Sequence, residues 1–296
     1  MSESPGIRTA TAASNFPEVV FARSADGFTV ARVGDLTLAM LPTGAGAAGG
    51  FIASGWRVGR HLSELTRQNF HSHEGRVADE AEFPARVFET AEHRRDLALL
   101  KRVQKQQSCG TPWGWSQMAT VYAEGVVSHV TASHGGFHLS PERNAQVHAS
   151  LRSDDCFYEE DCCWAAVAIT FPDLFTGYER RIADATCKTW QPDAWETIHG
   201  VALAPGQSHV KDRRTFERDH AGDWVVISAL RSDHQDDMME VIATRGGQRG
   251  AGVEERRYLV PSSEYEVGRY SFVIDDTRHQ AYSGPSSFLS WTGSTT

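Results

Sequence analysis

The stretch "MATVYAEGVVSHVTASHGGFHLSPERN" (Met118–Asn144) decides the architecture expected for the middle of the chain. Two β-rich runs flank "AEG" at 123–125, a short glycine-containing segment typical of a hairpin turn. "GGFHLS" continues as an extended segment, and Ser140 followed by Pro141 matches the N-cap and first position of a helix. The stretch therefore predicts a hairpin, a short strand and a helix start inside a mixed α/β unit.

The segments that precede this stretch carry a strand pattern followed by two helix patterns. The runs "EVVFAR", "FTVARVG" and "LTLAML" predict three short strands, and "SADG" (Ser24–Gly27) favours a hairpin turn between the first two. We expect a short helix over Arg57–Phe70 and a longer one over Phe83–Gln107, where an apolar stripe recurs with partly helical spacing. Gly110 and Pro112 then end the helical pattern and mark the entry to the central unit.

The segments that follow it predict helices and then strands. "YEEDCCWAAVAITF" (Tyr158–Phe171) places acids before a small apolar run, which favours a buried helix with acids at its N-terminus. A helix, a break before Pro192 and a short helix ended by Gly200 come next, and "SHVKDRRTFERDHAG" indicates a charged helix. Four β-rich runs then predict an antiparallel meander: "DWVVISAL", "MMEVIATRGG", "ERRYLVP" and "GRYSFVID".

These patterns predict an α+β fold in three regions that follow a disordered tail at residues 1–16. An N-terminal β-hairpin and helix region is expected at 17–107 and a central mixed α/β unit at 108–206. A helix with a C-terminal antiparallel β-meander is expected at 207–296.

Composition narrows the class of protein. A net charge of -9 over 296 residues disfavours a general nucleic-acid binder, although local contact through Lys211, Arg213 and Arg214 stays open. The longest apolar run, Cys162–Phe171, is about half the roughly 20 residues that a membrane-spanning helix needs. Five cysteines without a CxxC pair predict reduced thiols. We therefore expect a cytoplasmic protein with no membrane partner.

No cofactor or metal is predicted from the motifs. The glycine-rich loop Thr43–Gly50 lacks the endings of a P-loop and the order of a dinucleotide-binding turn. The histidines at the centre fit no ligand spacing within one helix or strand, and no HExxH or zinc-deaminase pattern is present. They are His129, His134, His138 and His148.

His134 is the candidate general acid or base. It precedes Gly135 and Gly136, and paired glycines allow a ligand to approach the backbone closely. The alternative is a tight connection between two strands in which the histidine bonds to the backbone. Both interpretations stay open at the level of sequence.

The acid–cysteine segment offers three interpretations. Cys162 is a candidate nucleophile if it lies in the first turn of its helix, but neighbouring acids disfavour a thiolate. Alternatively the acids complement the helix dipole and the thiols pack in the core. In the third interpretation one of Glu159, Glu160 and Asp161 works as the acid without any role for sulfur.

Candidate substrate-binding residues surround these groups. Trp113 offers an indole face for stacking, Gly135 and Gly136 allow close approach, and Trp164 follows the cysteines. Arg143 and Asn144 are expected to orient a substrate. A buried indole is the structural alternative for Trp113 and for the neighbouring Trp115.

Several motifs in order resemble a known family. They are "TPWGWSQ", "GVVSHVTASHGGFHLSPERNAQV", "YEEDCCWAAVAITFP" and "WQPDAWE". This run, over Cys109–Gly206, is similar to the domain-of-unknown-function family numbered 7007, found in uncharacterised proteins of alphaproteobacterial genomes and plasmids; similar motifs continue in "ERRYLVP", "FVIDDTRH" and "YSGPSSF". Cys163 departs from the more polar residue of the family pattern, which favours Cys162 as the functional thiol. The resemblance implies no established activity.

Two functions follow as hypotheses. The first is a hydrolase-like or transferase-like enzyme, with His134 as acid/base, a carboxylate partner among residues 159–161 and Cys162 as nucleophile. The second is a non-catalytic accessory binding protein, borne by a plasmid or phage, that modulates a host system through a host protein partner. Whether the chain is an enzyme is left open.

Overall fold

The computed structural model describes residues 19–44 and 49–289. The chain divides into two compact units, Met1–Thr186 and Cys187–Thr296, and each is described by itself. In the described part of the chain, no helix is long and apolar enough to cross a membrane. The predicted tail at 1–16 and the middle of the glycine-rich loop at 45–48 lie outside the described residues.

The first unit begins with a five-stranded antiparallel sheet in sequential order. The three predicted strands are confirmed, and Gly27, at φ 81°, forms the predicted turn. The predicted helix over Arg57–Phe70 is wrong, because His61 and Asn69 bond locally and close two separate single turns, Leu62–Glu64 and Arg67–Asn69. The strands are β1 (Val19–Arg23), β2 (Thr29–Val33), β3 (Leu36–Pro42), β4 (Gly50–Trp56) and β5 (Arg76–Val77).

Helix α1 (Phe83–Leu99) covers one face of this sheet. Its buried stripe of Phe83, Val87 and Ala91 packs in one core cluster with residues of β2 to β5. The helix is shorter than predicted, because Leu100 turns to an extended conformation and β6 (Val103–Lys105) pairs with a strand of the next sheet. Strand pairing here overrides the helical propensity of the segment.

The second sheet confirms the hairpin and short strand predicted around Met118–Asn144. Its antiparallel order is β12-β11-β10-β9-β6. Besides β6, its strands are β9 (Met118–Ala123), β10 (Val126–Val130), β11 (Gly135–Leu139) and β12 (Phe157–Glu159). A separate small hairpin consists of β7 (Gly110–Thr111) and β8 (Gly114–Trp115).

Two of the helices around this sheet test predicted helix starts. Ser140 caps α2 (Pro141–Asn144) by accepting from the Arg143 backbone, which confirms the predicted start. The helix predicted over Tyr158–Phe171 is half wrong, because Tyr158 pairs in β12 with β11 and is buried there. The remaining helices of this region are α3 (Trp164–Thr170) and α4 (Gly177–Trp190), and the unit boundary falls inside α4.

The second unit consists of two helices and a four-stranded antiparallel sheet. Gly200, at φ 66°, ends the first helix as predicted. The predicted charged helix is confirmed, and Ser208 caps it by accepting from the Lys211 backbone N–H. The meander is confirmed, although the fourth run, "GRYSFVID", contributes only a single bridge from Val273 to Val225. The elements are α5 (Pro192–His199), α6 (His209–Asp219), β13 (Trp224–Arg231), β14 (Met238–Arg245), β15 (Glu255–Pro261) and β16 (Gln280–Ala281).

Candidate functional site

Strand pairing brings the predicted chemical residues to one corner of the second sheet. Strand β11 lies between β10 and β12, so the start of β11 is close to the end of β12. The Glu160 backbone N–H donates to the Gly135 carbonyl at 3.1 Å. We call residues 134–136 and 159–163 the acid–thiol corner. The corner contains every residue of the predicted His/acid/Cys set, which lies in two segments separated by more than twenty positions.

His134 and Glu160 form the exposed pair of the corner. The imidazole Nδ1 lies 3.9 Å from Glu160 Oε1, with the two side chains 57% and 50% exposed. The backbone beneath the ring is fixed, because Thr131 Oγ1 donates to the His134 carbonyl at 2.6 Å. A contact this exposed contributes little to stability. Water reaches both side chains, so both groups are accessible for proton transfer.

Both glycines make room for side chains of the corner. A Cβ at Gly135 would lie 2.6 Å from Glu160 Oε2, and one at Gly136 would lie 2.4 Å from the Trp113 ring. Real Cβ atoms do not tolerate such distances. The absence of a side chain at Gly135 therefore leaves space for the Glu160 carboxylate, and its absence at Gly136 leaves space for the Trp113 ring.

Glu159 shapes the turn that carries the thiols. Its carboxylate accepts from the backbone N–H of Asp161 at 2.7 Å and of Cys162 at 3.4 Å. Helix α3 begins only at Trp164. The expectation that Cys162 lies in the first helical turn is therefore wrong, because the strand pairing of β12 delays the helix.

Burial and neighbouring groups keep the Cys162 thiol protonated. Burial raises the pKa of Cys162 most, Cys163 beside it adds to this, and the charges of Glu159 and Asp161 contribute further, to about 11. Thiolates rather than thiols are nucleophiles. The geometry thus supports the electrostatic argument against a reactive Cys162 that the sequence already contained.

The corner also collects atoms that bind metals. Among the described residues, ligand atoms of Glu159, Cys162 and Cys163 lie within 4.8 Å of one another, and so do those of His134, Glu159 and Asp161. The first group lies wholly in the segment Glu159–Cys163, at and after the end of β12. The second group adds His134, which precedes β11, so no spacing within a single helix or strand indicates it. Both groups contain Glu159.

The two predicted tryptophans are half-buried at the edges of the corner. Trp113 packs edge-on against Phe157, with ring centroids 5.8 Å apart. Trp164 lies 6.3 Å from Phe175 at the start of α3. The Trp113 ring covers Gly136 of the corner.

Arg143 and Asn144 make contacts that stabilise loops. The buried Asn144 amide donates to the Ser153 carbonyl at 2.8 Å and its oxygen accepts from the Tyr158 hydroxyl. Arg143 Nε donates to the Glu124 carbonyl at 3.1 Å in the β9–β10 turn. These bonds hold β12 and the turn in place, so both residues support the corner through the backbone.

A second histidine cluster lies on the same sheet and was missed. The buried His129 places Nδ1 3.0 Å from Ser116 Oγ and 3.8 Å from Cys109 Sγ. Burial and, to a lesser extent, His138 lower the pKa of His129, so its imidazole is neutral near pH 7. The pairing of β9 with β10 places His129 opposite Ala119, and the Ser116 backbone N–H donates to the Cys109 carbonyl at 2.9 Å. No spacing in the sequence indicates this grouping.

A cavity lies under α1 in the same unit and was also missed. Its volume is about 290 Å³, and His93 and Tyr178 line it together with side chains of the first sheet. His93 Nδ1 lies 2.9 Å from Thr176 Oγ1, and burial is the main cause that lowers the pKa of His93. The sequence pattern of this region indicates only a structural helix.

Comparison with known proteins identifies one domain. Residues 106–221 match the family model of a domain of unknown function, DUF7007. The match confirms the family resemblance of the central motifs and extends it to Ala221. No curated protein and no solved structure matches the chain.

Proposed function

We propose that the acid–thiol corner performs a hydrolase-like or transferase-like reaction in which His134 is the general acid and base. The contact of His134 with Glu160 at 3.9 Å, on an open surface, carries this proposal. A carboxylate that faces an imidazole favours one orientation of the ring. Proton transfer of this kind typically contributes 10²- to 10⁴-fold to a rate.

Water is the nucleophile in this proposal. Cys162 is half-buried, and its thiol stays protonated near neutral pH for the reasons given above. His134 is 57% exposed at its side chain, so water reaches it. The imidazole would remove a proton from water as it attacks and return it to the leaving group.

The charge of the corner limits the substrate. Glu159, Glu160 and Asp161 concentrate negative charge around one imidazole, which repels anionic substrates. A neutral ester or amide is the class that fits. The Trp113 ring over Gly136 offers an apolar wall for its acyl group.

A panel of neutral nitrophenyl esters and anilides tests the proposal on the full chain. We expect His134→Ala to lower kcat/KM by about 10²- to 10⁴-fold and Glu160→Gln to lower it less. His148→Ala is the matched control, because His148 is exposed in the same unit and bonds to Ser150. Equal turnover by wild type and His134→Ala would sink the proposal.

An exposed apolar patch supports the second candidate, a binding protein without turnover. Trp115 is 71% exposed, and the cross-strand partners Val130 and Met118 are 45% and 39% exposed. Patches of this kind mark interaction sites. In this case Trp115→Ala would abolish capture of a host protein by the immobilised chain, whereas the control Trp190→Ala, at a residue 52% exposed, would not.

A further inference from the structure

The two adjacent thiols of the acid–thiol corner are arranged as a pair. Cys162 Sγ and Cys163 Sγ lie 3.8 Å apart. A carboxylate oxygen of Glu159 lies within 4.8 Å of both sulfurs. All three residues are half-buried, so water surrounds this group only in part.

The separation of the sulfurs matches the demands of one kind of ion. Zinc takes sulfur ligands at about 2.3 Å in tetrahedral geometry, so two such ligands lie roughly 3.8 Å from each other. We propose that Cys162, Cys163 and Glu159 bind one thiophilic divalent cation of the zinc class. Softer sulfur ligands favour zinc over calcium or magnesium, which prefer sites built from oxygen alone.

Charge at the corner favours a dication. Glu159, Glu160 and Asp161 follow one another at the end of β12. His134 Nδ1 lies 3.9 Å from Glu160, and a ligand atom of His134 lies within 4.8 Å of Glu159 and Asp161. Binding would proceed as exchange, with two thiol protons released as the two sulfur–metal bonds form. The Glu159 carboxylate would then accept the ion while keeping the turn closed.

The fourth position of the ion would lie open toward His134. A ligand atom of His134 lies within 4.8 Å of the Glu159 carboxylate. Zinc sites with three protein ligands keep a water in the fourth position and lower its pKa to about 7. This inference deepens the proposed function, because such a water is the nucleophile that His134 would deprotonate, but binding of the ion does not depend on catalysis.

Cobalt binding to the reduced, chelator-treated full chain tests the inference, because cobalt(II) reports its ligands spectroscopically. We expect one cobalt per chain with a thiolate-to-cobalt charge-transfer band in the near ultraviolet, lost when one equivalent of zinc is added. Cys162→Ser/Cys163→Ser would remove the band and weaken zinc binding by about 100-fold or more. Cys156→Ser is the control, because Cys156 is another half-buried thiol of the same unit.

The wild-type spectrum keeps the test decisive even if the double variant does not fold. A wild-type chain that binds cobalt without a charge-transfer band, or binds none, overturns the inference. A charge-transfer band that survives in the folded double variant overturns it as well. A band without any ester or amide hydrolysis leaves the ion site standing and overturns only the proposed function.

Discussion

The acid–thiol corner of the first unit differs sharply from the ion pair of Glu240 and Arg257 in the second. Glu240 is completely buried, and its carboxylate accepts from Arg257 Nη1 at 2.8 Å, Ser286 Oγ at 2.9 Å and the Ser287 backbone at 2.9 Å. At the corner, the His134 imidazole lies 3.9 Å from Glu160 and within 4.8 Å of Glu159 and Asp161.

The comparison separates a structural use of charge from a functional one. Burial raises the pKa of Glu240, but the hydrogen bonds from Arg257 and the two serines outweigh it, so the pKa lies below its usual value. Folding thus favours the ionised pair. At the corner the exposed contact of His134 with Glu160 adds little to stability.

The largest effect is expected where the buried pair is broken. Glu240→Gln leaves the Arg257 guanidinium buried without its counter-charge, which should lower the free energy of unfolding by about 3–5 kcal/mol. Urea unfolding followed by far-ultraviolet circular dichroism measures this. The control Glu254→Gln breaks an exposed pair with Arg256 and should cost less than about 1 kcal/mol. Equal losses in both variants would show that the buried Glu240–Arg257 pair supports the fold no more than an exposed pair does.

Alkylation rates test the protonation state of the corner. With a pKa of about 11, only about 0.1% of Cys162 is thiolate at pH 8. In the metal-free chain we expect Cys162 to react far more slowly than a solvated thiol, with a rate that rises up to about pH 11. Glu159→Gln should accelerate it. Rapid alkylation at pH 7, read by mass spectrometry, would restore Cys162 as a nucleophile.

A side chain added at Gly136 is expected to lower the free energy of unfolding by less than Glu240→Gln does. Gly136→Ala forces the Trp113 ring and the Tyr158 carbonyl apart, because the new Cβ would lie 2.4 and 2.3 Å from them. We expect a loss of about 1–3 kcal/mol in unfolding free energy, with a change in tryptophan fluorescence. Gly110→Ala is the control, since nothing lies within 4 Å of its Cβ position. If Gly136→Ala leaves the free energy of unfolding unchanged, the Trp113 ring does not pack against Gly136.

The smallest expected effect is a change of folding stability with pH that arises from His129. The pKa of His129 is lowered mainly by burial, so the unfolded chain takes up a proton at this site that the folded chain does not. Stability should therefore fall as pH drops below about 6.5, by at most about 1.4 kcal/mol per pH unit. His129→Gln should flatten this slope between pH 5 and 7 relative to the exposed-site control His148→Gln. An unchanged slope would contradict the assignment.

Local sequence signals correctly predicted the hairpin of the second sheet and the cap at Ser140. The elements that depend on pairing between distant segments could not be predicted in this way. The "AEG" turn and Ser140 act through residues a few positions away, so the sequence contains their full cause. Tyr158 was placed in a helix because its strand partner, Phe137, lies twenty-one positions earlier.

The same limit applies to the candidate site. The paired glycines signalled a close approach, and the structure shows that the approaching groups are Glu160 and Trp113. The sequence indicated which residues form the acid–thiol corner, because residues capable of acid–base or nucleophilic chemistry are concentrated in its two segments. The grouping of Cys162 and Cys163 with Glu159 depends on where β12 ends and α3 begins, which no local pattern determined.

The most direct test of the central claim is the stability of Glu160→Gln/Asp161→Asn at pH 8, measured by urea unfolding. If the corner holds clustered charge for function, removing two negative charges relieves repulsion, and the unfolding free energy should stay equal or rise by up to about 1 kcal/mol. A loss of more than about 1 kcal/mol would show that these acids support the fold, and would contradict the account.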